Sequence, residues 1–178
     1  MKTTTRGLAG PVVAFLGLAV TPLAAQQPGA PEFVARECGC AALFPATPEE
    51  RRQTTDTQVG SIEFVFYILD QGTSAFMMGF NDYPAQAASQ ADPEAVLDGA
   101  RDGAVQNVNG TLVHEEHIRL GPYPGRELRV SIPGGKILYS RVVFAAPRLY
   151  QVLAMADDGG PEEAGANSFI QSFHLTAR

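Results

Sequence analysis

The sequence predicts an α+β fold: an α/β/α sandwich built on a mainly antiparallel β-sheet of about seven strands, with helices on its faces. Three observations carry that expectation. Apolar and polar side chains alternate with period two through the middle and late chain. Two segments show apolar residues at helical spacing behind proline-acid starts. The turns between successive strands are too short for a crossover, which forces antiparallel neighbours.

The chain of 178 residues opens with Lys2 and Arg6, an uncharged run from Gly7 to Val20, then Pro22-Leu23-Ala24-Ala25. A basic start, a short apolar middle and small residues before a polar stretch read as a secretory signal peptide over 1–25. The run is shorter than the roughly 20 residues of a spanning helix, and Gly10-Pro11 interrupts it, so no membrane span is expected after signal removal. Cleavage after Ala25 removes two bases and no acid, which moves the formal net charge from -6 to -8 and leaves 153 residues. Residues 26–37 carry two prolines and a glycine without periodicity and read as a flexible leader. A single domain is expected over 38–178.

Within it, Ala41 to Pro45 reads as a short strand and Ala46 to Gln58 as a polar connection. Ile62, Phe64, Phe66 and Ile68 alternate with Glu63, Val65, Tyr67 and Leu69, so both faces of this strand need cover. Asp70-Gln71-Gly72-Thr73 turns the chain into Ala75–Phe80, which puts Phe76, Met78 and Phe80 on one side. Asp92-Pro93-Glu94 starts a helix: a capping carboxylate, a proline preset for the first turn and an acid at the positive end of the dipole. Leu97, Ala100, Ala104 and Val108 form its stripe, and Asn109-Gly110 ends it. Gly99 and Gly103 each weaken the helix by about 1 kcal/mol relative to alanine, which suggests close packing on a sheet. Strands are expected at Thr111–Leu120, Arg126–Ile132, Ile137–Ala145 and Leu149–Ala156, joined by glycine and proline turns. A second helix follows Pro161-Glu162-Glu163, with Ala166, Phe169, Ile170 and Phe173 as its apolar stripe.

The composition, 45% hydrophobic and 18% charged, is that of a globular protein. Its acidity argues against nucleic acid, because neutralising phosphates takes a basic face. No Gly-x-Ser-x-Gly elbow and no phosphate-cradling glycine loop is present, so the sequence points away from an enzyme and implies no cofactor.

Three groups carry candidate chemistry. Cys38-Gly39-Cys40 reads as a local disulfide, as two free thiols, or as a metal or redox pair. An extended i, i+2 spacing of roughly 6.6 Å opposes a bond unless Gly39 kinks the chain. His114-Glu115-Glu116-His117 has a separation that sends the imidazoles to opposite faces of a strand, so it reads as a solvated, charged segment and no metal site is assigned. Arg126 shares a face with Leu128, Val130 and Ile132, which aims a permanent charge at the apolar side. Its partner is expected to be an acid such as Asp82 or Glu127. The alternative is a binding site for an anion or a partner, formed by Arg126 with Arg141 or Arg148.

Several segments taken in order resemble bacterial exported domains of the PsbP-like superfamily: Phe44-Pro45-x-x-Pro48-Glu49, Phe80-x-Asp82-x-Pro84, Asp92-Pro93-Glu94-x-x-Leu97-Asp98, Gly121-x-x-Pro124-Gly125-Arg126-Glu127, Arg148-Leu149-Tyr150 and Phe169-x-x-Ser172-Phe173-x-Leu175. The resemblance spans about residues 41–175 and implies an α/β/α sandwich around an antiparallel sheet. It also implies mostly non-catalytic relatives: extrinsic photosystem II subunits, a Ran-binding nuclear transport factor and bacterial envelope proteins. The resulting expectation is an exported, periplasmic or extracellular, non-enzymatic domain that binds a protein partner in the cell envelope or stabilises an assembly. The alternative is a small metal- or thiol-dependent envelope factor using Cys38 and Cys40.

Overall fold

The computed structural model describes residues 32–57 and 60–176. The signal peptide read at 1–25 and the first part of the leader lie outside the described residues. In chain order the elements are β1 (Glu32–Ala35), β2 (Cys40–Leu43), β3 (Glu49–Thr57), β4 (Gly60–Asp70), β5 (Ala75–Asp82), α1 (Ala85–Gln90), α2 (Pro93–Asn107), β6 (Thr111–Leu120), β7 (Tyr123–Ile132), β8 (Lys136–Ala145), β9 (Arg148–Asp157), α3 (Glu163–Ser172) and β10 (His174–Leu175).

Seven strands form one sheet in the order β3-β4-β5-β9-β8-β7-β6, every pair antiparallel. Cross-strand partners share a face, so the register sorts the side chains into two layers. One face carries Val65, Tyr67, Phe76, Met78, Phe80, Val143, Tyr150 and Val152, and on it sit α3 and a small three-stranded sheet, β1-β2-β10. Phe44, Phe169 and Phe173 fill the space between these layers at no more than 2% exposure. The Phe44 and Phe169 rings meet edge-on at 4.6 Å, a favoured aromatic geometry. The opposite face carries α2.

The capping expected for α2 is present: Asp92 accepts from the Glu94 N–H and Pro93 is the first helical residue. Asn109, at φ 49°, takes the left-handed conformation that asparagine tolerates better than most residues, just beyond the helix end.

Four features depart from the sequence expectation. Residues 49–57, read as a polar connection, are the edge strand β3, paired along their whole length with β4. All nine side chains are exposed, so no apolar alternation marks the strand, and its Glu49-Glu50-Arg51-Arg52 start guards an open edge. The short strand near Ala41 belongs to the small sheet, so the seven-stranded sheet is completed by β3 instead. The leader read at 26–37 is not flexible to its end: Glu32–Ala35 pair with Cys40–Leu43, and the chain turns over residues 36–39. Finally, α1 and β10 appear where no element is expected; β10 pairs with β2, and its Leu175 packs against the core of the α3 face.

Candidate functional site

Cover on the two faces of the large sheet is unequal. Helix α2 packs over its β7–β8 half: Leu97 lies on Val142, Phe144 and Leu149, while Ala104, Val105 and Val108 lie against Leu128, Val130 and Leu138. Among the described residues nothing comparable lies over β5 and β4, and there an apolar cleft of about 650 Å³ opens between the sheet and the helix. Register gives its floor. Phe64, Asn81 and Leu149 form one row across β4, β5 and β9; Phe66, Gly79 and Gln151 form the next; Ile68, Met77 and Leu153 form the third; Ala75 and Met155 close the end. These rows span roughly 20 Å along the strands at about 3.4 Å per residue.

Phe64, Phe66 and Ile68 are half-buried, so the second face of β4 has the partial cover its sequence leads one to expect. Gly79 explains how the floor stays low. A Cβ there would meet Phe66 Cδ1 at 2.6 Å, so the glycine lets that ring lie against the strand. The helix wall is equally spare. Ala95, Gly99, Gly103 and Asn107 recur at i, i+4 along the side of α2 that borders the cleft. A Cβ placed on Gly99 or Gly103 meets nothing within 4 Å. These glycines therefore do not serve close packing on the sheet, as their sequence context suggests; they leave space.

Among the described residues, one buried polar group on the floor has no partner. Asn81 is 1% exposed, and its Oδ1 accepts no hydrogen bond. Burying an amide oxygen in this way costs about 1–3 kcal/mol, so an unoccupied acceptor in an apolar cleft is unusual. Gln151 sits diagonally across the β5–β9 pair from it, with its side chain on the same face. Tyr83 also lines the cleft, and burial pushes its phenol above the usual tyrosine range. None of the lining residues carries a formal charge.

The helix that roofs the cleft is held from below by Arg126. Its Nη2 lies 2.8 Å from both Glu94 Oε2 and Asp98 Oδ1 on α2, and its Nη1 donates to Glu115 on β6. Arg101 of α2 also reaches Glu115, at 3.4 Å. The Arg126 side chain is 5% exposed, so the charge aimed at the apolar side finds three acids, none of them Asp82 or Glu127. Burial pushes the Glu115 carboxyl up, but the hydrogen bond from Arg126 and the charges of Arg101 and Arg126 outweigh it, leaving the group below its ordinary value. Glu115 is therefore part of a clamp, where the sequence reads a solvated stretch. His114 and His117 stand opposite Arg129 and Arg126 respectively, on opposite faces of the sheet.

The three arginines are not brought together. Arg141 lies on the α3 face, bonded to Glu127 and to Gln171 Oε1 at 2.7 Å. Arg148 makes a bidentate pair with Asp82, both bonds 2.6 Å, donates to the Glu37 carbonyl and lies 4.2 Å over the Phe80 ring. Cys38 and Cys40 are joined in a disulfide across Gly39, whose φ of 63° supplies the kink the spacing demands. Both are buried to 1% or less, inside the packed layer beside Met78 and Tyr150. Among the described residues no group of three or more His, Cys, Asp or Glu side chains is placed to hold a metal ion. Among them, too, no helix is long and apolar enough to cross a membrane.

No protein-family model matches the chain, and no curated protein matches it in sequence. Its fold is similar to that of cyanobacterial PsbP (CyanoP) from Synechocystis sp. PCC 6803, at 11% identity and a TM-score of 0.53, over 93% of this chain and 99% of that one. LpqN, a protein involved in cell envelope biogenesis of Mycobacterium tuberculosis, aligns at 14% identity and a TM-score of 0.47, over 73% of this chain and 86% of that one. The chain has a PsbP-like fold.

Proposed function

We propose that this chain is an exported, non-enzymatic binding domain whose working surface is the cleft between the sheet and α2. The observation that carries the reading is an apolar cavity of about 650 Å³ bordered by an unpartnered, buried Asn81. That volume falls in the range of roughly 300–1,000 Å³ typical of small-molecule sites, which are mostly apolar with a few polar groups fixing orientation. Export rests on the layout of residues 1–25. The non-catalytic reading rests on the cleft's chemistry: it presents amides, a phenol and hydrocarbon, and no nucleophile beside a base.

A small ligand fits this cleft better than the envelope protein partner that the sequence alone suggests. The floor is concave, and its unbonded polar group, Asn81, is buried beneath apolar neighbours rather than displayed on a flat surface. The edge at β3, one of the two ends of the sheet, is lined with charged side chains of the kind that discourage strand addition. A thiol- or metal-dependent role is opposed by burial of both cysteine sulfurs in the packed layer.

The test is binding of N-phenylnaphthylamine, a neutral fluorophore that brightens in apolar surroundings. Saturable binding is expected, and it should fall at least tenfold in a Gly99→Leu, Gly103→Leu variant, whose new side chains enter open space and fill the cleft from the helix side. Undiminished binding in that variant, with its fold intact by circular dichroism, would place the probe elsewhere and end the proposal.

A further inference from the structure

We infer that the cleft's ligand is a neutral amphiphile: a linear apolar tail with an uncharged head group, such as a hydroxyl or a primary amide, that donates a hydrogen bond to Asn81. This rests on the cleft being the working site and adds the chemistry of its occupant.

The argument begins with charge. A carboxylate or ammonium head would lose its hydration on entering, and no lining residue offers a countercharge. Burying an ion without a partner is far costlier than burying a neutral polar group that finds one. Arg126, on the same face, already faces Glu94, Asp98 and Glu115, so its charge is compensated, and the Nε it leaves unbonded is itself buried. The head is therefore neutral.

Position follows from the register. Asn81 and Gln151 lie in the first two rows of the floor, next to Phe64 and Phe66, whereas the further rows offer only Ile68, Met77, Leu153, Ala75 and Met155. The floor thus has a polar end and an apolar end along the strand direction, although Asn107 borders the cleft from the C-terminal end of α2. The Asn81 oxygen lacks a donor, so the head must carry one. Gln151, with a carboxamide on the same face, is placed to bond the same head group. A tail laid along roughly 20 Å of strand, at about 3.4 Å per residue, would run over the Met77 and Leu153 row toward Met155. Methionines at that end suit a flexible chain, because their unbranched side chains repack easily.

The experiment is displacement of bound N-phenylnaphthylamine from the purified chain at neutral pH by four amphiphiles with the same tail: dodecanol, dodecyl methyl ether, dodecanoate and dodecylammonium. Dodecanol should displace the probe at a concentration at least tenfold lower than the ether, which keeps the oxygen and lacks the donor, and lower than either ion. In an Asn81→Leu variant the advantage of dodecanol over the ether should shrink to within about twofold, because the acceptor is gone while the apolar volume is kept. If that variant fails to fold, the alcohol-to-ether ratio in the unaltered chain still decides the matter. Equal displacement by alcohol and ether, or stronger displacement by either ion, overturns the head-group assignment and leaves the cleft standing as the site. Failure of the probe itself to bind the unaltered chain overturns both.

Discussion

The two faces of the seven-stranded sheet are built from the same kinds of residue and end in opposite states. On the α3 face, phenylalanines from three elements interlock with Tyr67, Met78 and Tyr150, and the hollow that remains, about 500 Å³ beside Gly39, Asp82 and Arg148, lies at the small-sheet end of the layer. On the α2 face the helix is clamped over β7 and β8, and the β9–β5–β4 half is left with a hollow. The difference lies in the helices. Helix α3 presents Phe169 and Ile170 to its sheet; α2 presents Ala95, Gly99 and Gly103 to the space above β5. A fold that needed only stability would fill that space, since a cavity forfeits dispersion contacts. Its retention beside an unpaired amide is what marks one face as scaffold and the other as site.

The sharpest way to break that contrast is to cut a large apolar side chain from each face. Phe169→Ala, at 2% exposure in the packed layer, should cost about 3–5 kcal/mol in urea denaturation. Met77→Ala or Leu153→Ala, on the half-buried floor of the cleft, should cost only about 1 kcal/mol, because their surroundings are already open on one side. Equal losses would mean that the hollow closes in solution.

Next in size is the clamp. Replacing Arg126 by methionine keeps the apolar stem but leaves Glu94, Asp98 and Glu115 facing one another without the guanidinium. Breaking a buried ion pair by removing one partner costs several kcal/mol; here the acids are partly exposed, so about 3 kcal/mol is expected. The loss should appear first as faster hydrogen exchange in α2, with α3 amides unaffected until global unfolding. Simultaneous loss of protection in both helices would deny that Arg126 serves the cleft side in particular.

The clamp also makes one face more acid-sensitive. Glu115 has its carboxyl held below the ordinary value of 4.5 in the folded state. A depressed folded value means that its contribution is present above the unfolded value and is lost as pH falls through the folded one. Melting temperature should therefore drop below about pH 4.5, and Glu115→Gln should flatten part of that slope. Glu37, lowered chiefly by its hydrogen bond from Arg52, and Glu163, lowered chiefly by its hydrogen bond from Tyr139, keep the remainder.

How far each face can be read from sequence follows the same division. The α3 face is legible because its residues are large and periodic: Phe76, Met78 and Phe80 on one side of a strand, and Ala166, Phe169, Ile170 and Phe173 along a helix. The capped start of α2 is legible from Asp92-Pro93-Glu94. Strand β3 is hidden because a strand exposed on both faces carries no apolar period, only a backbone ladder. Residues 32–35 are hidden because their strand depends on pairing with Cys40–Leu43. Arg126 shows its burial through alternation, yet its acids, Glu115, Asp98 and Glu94, come from distant positions across elements whose docking no local pattern specifies. The cleft leaves a signal that is easy to pass over: the face of β5 opposite its aromatics reads Ala75, Met77, Gly79, Asn81, and all but Met77 are small or polar where a packed sheet wants bulk. It becomes a site only once that row is known to lie beside Gln151 and beneath α2.

The smallest effect separates a hollow that is retained from one that is merely tolerated. Gly99 and Gly103 lie in a regular helix without a positive φ, and a methyl group on either meets open space. By helix propensity alone, Gly99→Ala and Gly103→Ala should each stabilise the domain, by up to about 1 kcal/mol. In a domain of this size that is a rise in melting temperature of about 2–4 °C per site. Two methyl groups narrow the cleft without filling it, so probe affinity should weaken by only a few-fold while stability rises. Opposite movement of the two measurements is the signature of a helix kept weaker than it need be to hold room for a ligand. If stability rises and affinity rises with it, the glycines are not there for the cleft, and the contrast between the faces reduces to one of packing quality.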